Sequence, residues 1–318
     1  MSSAVIASLV NAYQQVIIYM GIPILSIGLI GGLFNVLVFL SLRTFRESSC
    51  AFYFTIMSMV NTGQLLIGLG SRILISGFNI DFTRSSLFYC KFRTFFFQVM
   101  AFCSLMCISL ATMDQYFATC TRPHWQVWSN IRVARRIVIS VIIMIIIEQI
   151  PCVIYYDHRI SLPSNETICI ITNTNFEKFN VYGNYLILGN LIPHTLTFSF
   201  GILAYRNIQQ LSYRTVPLVR RELDKQLSTM VLVQISYICL TITPNLIIYI
   251  VATYGNIQDS TVRSQINLAY AITLCLYYSF FAVSFFLSFF KVFSSDLYSL
   301  HSISIYWFLN VFVDNSFM

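Results

Sequence analysis

Apolar residues in this chain arrive in long blocks rather than in alternation, and each block of about 20 residues or more ends at a short polar segment. At 1.5 Å of helical rise per residue, such a block matches about 30 Å of hydrocarbon. Seven are present, at 16–42, 51–76, 88–118, 133–156, 179–206, 227–254 and 265–290. A backbone in lipid must satisfy its own hydrogen bonds, so each block predicts a helix. The expected fold is an all-α membrane protein: a seven-transmembrane helix bundle over 1–290, then a short tail, 291–318. That tail holds Ile305-Tyr306-Trp307-Phe308-Leu309 and no Lys or Arg after Lys291, which suits a cytoplasmic or membrane-surface segment. No linker, internal repeat or low-complexity stretch divides the chain.

Composition agrees. Apolar residues make up 57% of the chain and charged residues 10%, against about 25% charged in soluble domains; mean hydropathy is +0.73. Residues 1–15 carry no charge, unlike the basic start of a cleavable signal, so the first span is expected to direct its own insertion.

The net charge of +7 does not indicate nucleic acid, because no stretch offers a dense Lys/Arg face with interleaved aromatics. It reads as topology instead. An odd number of spans puts the ends on opposite sides, and basic residues are retained in the cytoplasm. With the N-terminus outside, the inner side carries twelve: Arg43, Arg46, Arg122, Arg132, Arg135 and Arg136, then Arg206, Arg214, Arg220, Arg221, Lys225 and Lys291. The outer side carries seven: Arg72, Arg84, Lys91, Arg93, Arg159, Lys178 and Arg263, with Arg72, Lys91 and Arg93 at helix ends within reach of the interface. The same orientation places the acceptor Asn165-Glu166-Thr167 in the longest outer loop, making Asn165 a candidate glycosylation site. The C-terminus is then cytoplasmic.

Nine cysteines occur without a CxxC pair or a Cys/His spacing suited to zinc, so neither a metal nor another cofactor is expected. The chain also lacks His-Glu-x-x-His, Gly-x-Ser-x-Gly and paired intramembrane acids, which sets an enzyme aside. Cys90 opens the third span at its outer end and Cys169 lies in the outer loop before the fifth. A bridge between them would close a loop of about 80 residues and contribute about 2–4 kcal/mol. Two unrelated small buried thiols are the alternative.

The third span ends at Asp114-Gln115-Tyr116, twenty-four residues after Cys90. On that frame the chain resembles the rhodopsin-like (class A) G-protein-coupled receptors, whose third helix begins with a bridging Cys and ends in Asp-Arg-Tyr. Pro193 in the fifth span, Pro244 in the sixth, and Arg220, Arg221 and Lys225 before the sixth agree with it. The resemblance implies an extracellular ligand, a heterotrimeric G protein as partner and a place in the plasma membrane. It assigns Asp114, Gln115, Tyr116, Asp224 and Pro244 to coupling and switching.

Departures from the family pattern are specific. Gln115 replaces the Arg that pairs at rest with its neighbouring Asp, while Asp224, twenty residues before Pro244, stands where an acid often locks to that Arg. A neutral amide loses that charge pairing, so basal activity is expected to rise or coupling to weaken. Ile242 replaces the usual Trp two residues before Pro244, and the seventh span has Ala282-Val283-Ser284-Phe285-Phe286-Leu287 in place of Asn-Pro-x-x-Tyr. Asn61 stands near the family's sodium-binding Asp, so sodium regulation is not expected.

The resemblance also places a ligand between the third, fifth, sixth and seventh helices. Phe97 occupies the position of the amine-pairing Asp, which disfavours a biogenic amine; Gln98, Tyr185, Asn245 and Tyr249 are further candidates, each equally able to serve packing alone. Glu148, inside the fourth span, is a candidate because an unpaired carboxylate there costs about 2.5–3.5 kcal/mol on insertion scales; bonding to Gln149 is the plain alternative. His194 reads as a hydrogen-bonded packing residue. A long, polar, bridged outer loop favours a peptide slightly over a small chemical. Two other readings stay open: a multi-pass transporter or proton-coupled carrier built around Glu148, and a degenerate receptor that binds without signalling.

Overall fold

The computed structural model describes residues 2–41, 46–161, 166–211, 218–255 and 257–296, with side chains for all of these except 2, 161, 210–228, 230 and 284–296. Asn165 and the tail from 297 lie outside the described residues, and so does the side chain of Asp224. Among the described residues, seven helices are long and apolar enough to cross a membrane. They are α1 (Ser2–Ser41), α2 (Ser49–Gly77), α3 (Leu87–Thr119), α4 (Ile131–Tyr155), α5 (Thr174–Gln209), α6 (Leu218–Tyr254) and α7 (Ser260–Asp296).

Burial separates the central helix from the peripheral ones. In its most apolar stretch α3 is 67% buried, whereas α1 and α4 are 22% buried. The exposed faces of α1 and α4 carry Ile27, Ile30, Leu33, Ile143, Met144 and Ile147, which suit contact with lipid tails rather than water. Lipid supplies little hydrophobic drive between helices, so close packing does that work. A Cβ at Gly28 would fall 2.8 Å from the Ala282 Cβ, which is how closely α1 and α7 approach.

Two helices are wound more widely than an α-helix over part of their length. In α2 these segments are Leu65–Gly70 and Ile73–Gly77, on either side of Ser71 and Arg72; in α5 the segment is Phe179–Leu191. Such turns rotate the following side chains off the α-helical register and are frequent at functional sites. All three lie toward the same end of the bundle.

Where the sequence predicts only a loop, that end carries an antiparallel hairpin, β1 (Tyr156–Ser161) with β2 (Glu166–Ile171), in which His158 faces Cys169. A disulfide joins Cys169 to Cys90 on α3, with a Cα–Cα distance of 5.9 Å. His158 Nε2 bonds the Thr83 carbonyl at 2.7 Å, and Arg84 pairs with Glu166. Thr83 and Arg84 belong to a short helical turn, Phe82–Ser85, capped by Asp81. The hairpin is therefore stapled to the α2–α3 side of the mouth. Of the seven cysteines outside the disulfide, six are buried and Cys239 on α6 is exposed.

Candidate functional site

The end opposite the hairpin is organised around Asp114. This residue is 5% exposed on α3, and Ser49 Oγ at the start of α2 lies 2.8 and 2.7 Å from its two carboxylate oxygens. Ser49 Oγ also lies 3.2 Å from the hydroxyl of Ser129 in the α3–α4 connection. A hydrogen bond to a carboxylate is stronger than one between neutral groups, so α2 holds the charge. Tyr116 packs with its ring tilted against those of Phe117 and Phe200, joining α3 to α5. Gln115 is buried beside Asp114. The backbone of Asp224 is helical within α6.

Between the two ends the helices are joined by neutral polar contacts. Ser104 donates to Asn61 Oδ1 at 2.5 Å and Asn35 donates to Ser58 at 2.7 Å. Asn61 thus takes part in a neutral network, and no group of three or more His, Cys, Asp or Glu residues among those described could hold a metal ion. The carbonyl of Pro193 accepts hydrogen bonds from Thr197 at 2.6 Å and from Ser109 of α3 at 3.1 Å, so side chains satisfy the backbone around this proline. His194 Nδ1 bonds the Asn190 carbonyl at 2.6 Å, a local packing role. Pro244 lies inside α6. On the same helix Gln234 is 0% exposed, with neither amide atom hydrogen-bonded. An unmade buried hydrogen bond costs about 1–3 kcal/mol. Gln234→Leu is accordingly expected to raise stability by about 1–3 kcal/mol in thermal unfolding, and no gain would show that the amide is satisfied in the membrane.

The residues the sequence nominates for a ligand fall into three groups. Tyr185, Tyr249 and Tyr270 form an aromatic ladder from α5 through α6 to α7, with centroids 4.9 and 6.2 Å apart. Asn245 sits below it and bonds Thr273 of α7 at 3.5 Å. Ile242, Asn245, Tyr185 and Tyr277 line a cavity of about 20 Å³, room for about one water. Gln98 and Glu148 belong instead to an α3–α4 network: Cys152 Sγ lies 3.4 Å from Gln98 Oε1 and 3.2 Å from Gln149 Oε1, and Gln149 donates to Glu148. The second carboxylate oxygen of Glu148 is buried without a partner. Phe97 packs on α2, its ring 3.0 Å from where a Gly68 Cβ would stand.

Two residues that the sequence places at the interface turn inward. Arg93 Nε donates to Ser71 Oγ on α2 at 2.5 Å, and the neighbouring Arg72 has its Nε buried. Their positions near helix ends predict reach to the membrane interface; the wide turns of α2 on either side of Arg72 leave no mark in the apolar pattern. Tyr156, which opens the hairpin, lies above this region. Burial, and then the neighbouring Tyr249, push its phenol pKa up, while Arg93 pulls it down.

A polytopic bundle of seven membrane-length helices, with α3 at its centre and a disulfide-stapled hairpin across one mouth, defines a seven-helix membrane protein of receptor type. The chain matches the family described as 7 transmembrane receptor (rhodopsin family) over residues 34–283, and it belongs to that family. Receptors of this family are G-protein-coupled: they bind extracellular ligands and signal through heterotrimeric G proteins. No curated protein matches the chain.

Proposed function

We propose that this chain is a plasma-membrane receptor with its N-terminus outside, its C-terminus and the Asp114 end in the cytoplasm, and its ligand received under the hairpin. The observation that carries the reading is the α3 frame: Cys90 is disulfide-bonded to the hairpin, while Asp114, one helix length away, is tethered to α2. One rigid, central helix thereby links the mouth to the opposite end. The excess of basic residues in the connections at the Asp114 end, and the Asn165-Glu166-Thr167 acceptor in a connection of the opposite side, support the orientation. In this reading Tyr185, Tyr249, Asn245 and Phe97 face the ligand region, Gln98 and Glu148 support it through α4, and Asp114, Gln115, Tyr116, Asp224 and Pro244 carry the switch. The hairpin forms a polar lid suited to a peptide, with a small chemical as the other ligand class.

G-protein nucleotide exchange, measured on the reconstituted receptor over a panel of peptides and small molecules, tests the reading. Ligand-dependent exchange supports it; substrate counterflow in proteoliposomes would favour a carrier. Within that assay Gln115→Arg is expected to lower basal exchange and raise stimulated exchange several-fold, because it restores a charge beside Asp114. Equal basal rates in the two proteins would refute a resting state loosened by Gln115. Binding without exchange in both would mark a receptor that no longer signals.

A further inference from the structure

Among the described residues, Arg72 and Arg93 are two half-buried cations at the hairpin end that make no ion pair. Arg72 lies between the two widely wound segments of α2, half-buried, its Nε closed off from solvent and without a hydrogen-bond partner. Arg93, three residues after the bridging Cys90, reaches across from α3 and donates to Ser71, next to Arg72 in the chain. The two guanidinium groups are within electrostatic reach of one another.

The acids nearby are engaged elsewhere. Among the described residues, the ion pairs both belong to Arg84, with Asp81 and Glu166. Asp81 is the acid that faces Arg93, and its carboxylate already accepts from the Thr83 amide, the Thr83 hydroxyl and Arg84. Glu177 faces Tyr249 and Tyr254 farther round the mouth. Within electrostatic reach of Arg72 are tyrosines rather than acids: Tyr13 of α1, Tyr185 of α5, and Tyr270 and Tyr278 of α7. Two of these, Tyr13 and Tyr270, also line a cleft of about 390 Å³ between α1 and α7, with Leu9, Val10, Ser264 and Asn267. That volume is in the range of small-ligand sites, whereas the central cavity beneath the tyrosine ladder is far too small.

A guanidinium inside a helix bundle is costly unless paired, and a second one beside it adds repulsion. Two arginines joined through the Ser71–Arg72 segment, one with an unpartnered Nε and both within electrostatic reach of phenols rather than of a free acid, match one kind of group well, a planar oxyanion that accepts bidentate hydrogen bonds. We propose that Arg72 and Arg93 are the anion-binding subsite of this receptor, and that its ligand presents a carboxylate on an apolar or aromatic body, from either a peptide C-terminus or a small organic acid. The proposal rests on the receptor reading and narrows it: the charge enters between α1, α2, α3 and α7, while the Tyr185–Tyr249–Tyr270 ladder flanks the body of the ligand.

The test is thermal unfolding of the full receptor in phosphatidylcholine nanodiscs. N-acetyl-phenylalanine and 4-phenylbutyrate are titrated against their uncharged counterparts, N-acetyl-phenylalanine amide and 4-phenylbutanol. The acids are expected to raise Tm saturably and the neutral compounds to leave it unchanged. Arg72→Gln and Arg93→Gln are expected to abolish the shift, Arg72→Lys to keep part of it, and Arg84→Gln to keep all of it. Without probe, Arg72→Gln is expected to melt at or above wild type, since an unpaired, half-buried charge has been removed; a structural arginine would show the opposite. Response to N-acetyl-phenylalanine alone assigns a peptide C-terminus, and response to 4-phenylbutyrate assigns organic acids. Equal shifts from acids and neutral compounds, no shift from either acid, or full shifts in both Gln variants would overturn the proposal. If a Gln variant does not fold, the acid-against-neutral comparison on wild type decides. Nucleotide exchange separates the two layers: an acid-specific Tm shift without exchange retains the anion site and removes signalling, whereas exchange driven by other ligands without that shift retains the receptor and removes the site.

Discussion

Cys169→Ser is expected to lower the stability of the folded receptor by about 2–4 kcal/mol and to reduce its surface expression. The disulfide closes a separation of 79 residues between α3 and β2. Without it the polar contacts that tie the hairpin to the α2–α3 connection, among the described residues, are the His158–Thr83 bond and the Arg84–Glu166 pair, whose side chains are 46% and 52% exposed. Exposed pairs of that kind contribute about 0–1 kcal/mol. The hairpin should therefore undock, and any ligand response should weaken with it. Cys90→Ser should reproduce the effect, and the double variant should be no worse than either single one, because both remove the same bond. Thermal unfolding and surface labelling check this. Unchanged values would mean that the noncovalent staples suffice.

The second large effect is expected at the other end. Ser49→Ala removes a hydroxyl that approaches both oxygens of a buried carboxylate, and hydrogen bonds to charged groups are worth about 1.5–3 kcal/mol. The loss should fall on the resting arrangement, in which the start of α2 is held against the end of α3, so basal nucleotide exchange should rise as stability falls. Asp114→Asn removes the charge that Ser49 serves, and Ser49→Ala in that background should cost less than it does in wild type. This double-mutant cycle isolates the pair. Additive losses, or basal exchange unchanged in Ser49→Ala, would show that the α2 tether does not hold the resting state.

The seven helices are legible in the sequence because a run of about 20 apolar residues has few other uses. Their ends are less so: α1 begins at Ser2 rather than 16, since the uncharged residues before the span continue the helix although they exceed the hydrocarbon thickness. The hairpin is hidden in a polar loop. Its signal, Thr167-Ile168-Cys169-Ile170-Ile171, is a short β-branched run whose partner strand, Tyr156–Ser161, has no such pattern. The receptor frame from Cys90 to Asp114 lies on one helix and so survives as a spacing. The partner of Asp114 is Ser49, 65 residues earlier on another helix, and nothing local announces it. Arg72 and Arg93 were visible as charges near helix ends, but the rotation that sends them inward depends on the wide turns of α2 and on Ser71. The ligand candidates divide for the same reason: helical position places Gln98 and Tyr185 at similar depth, while only packing decides that one faces Cys152 and the other Tyr249.

The distribution of thiols gives the native chain a built-in chemical reporter. Six of the seven free cysteines are buried, and the exposed one, Cys239, lies within the membrane span of α6, where a water-soluble thiol reagent finds neither access nor thiolate. The folded receptor should be silent toward such a dye, and a melting bundle should light up. The unfolding comparisons that leave the Cys90–Cys169 bridge intact can then be followed by fluorescence on a chain with no engineered cysteine, and the background reaction before the transition would itself measure how often α6 opens to water.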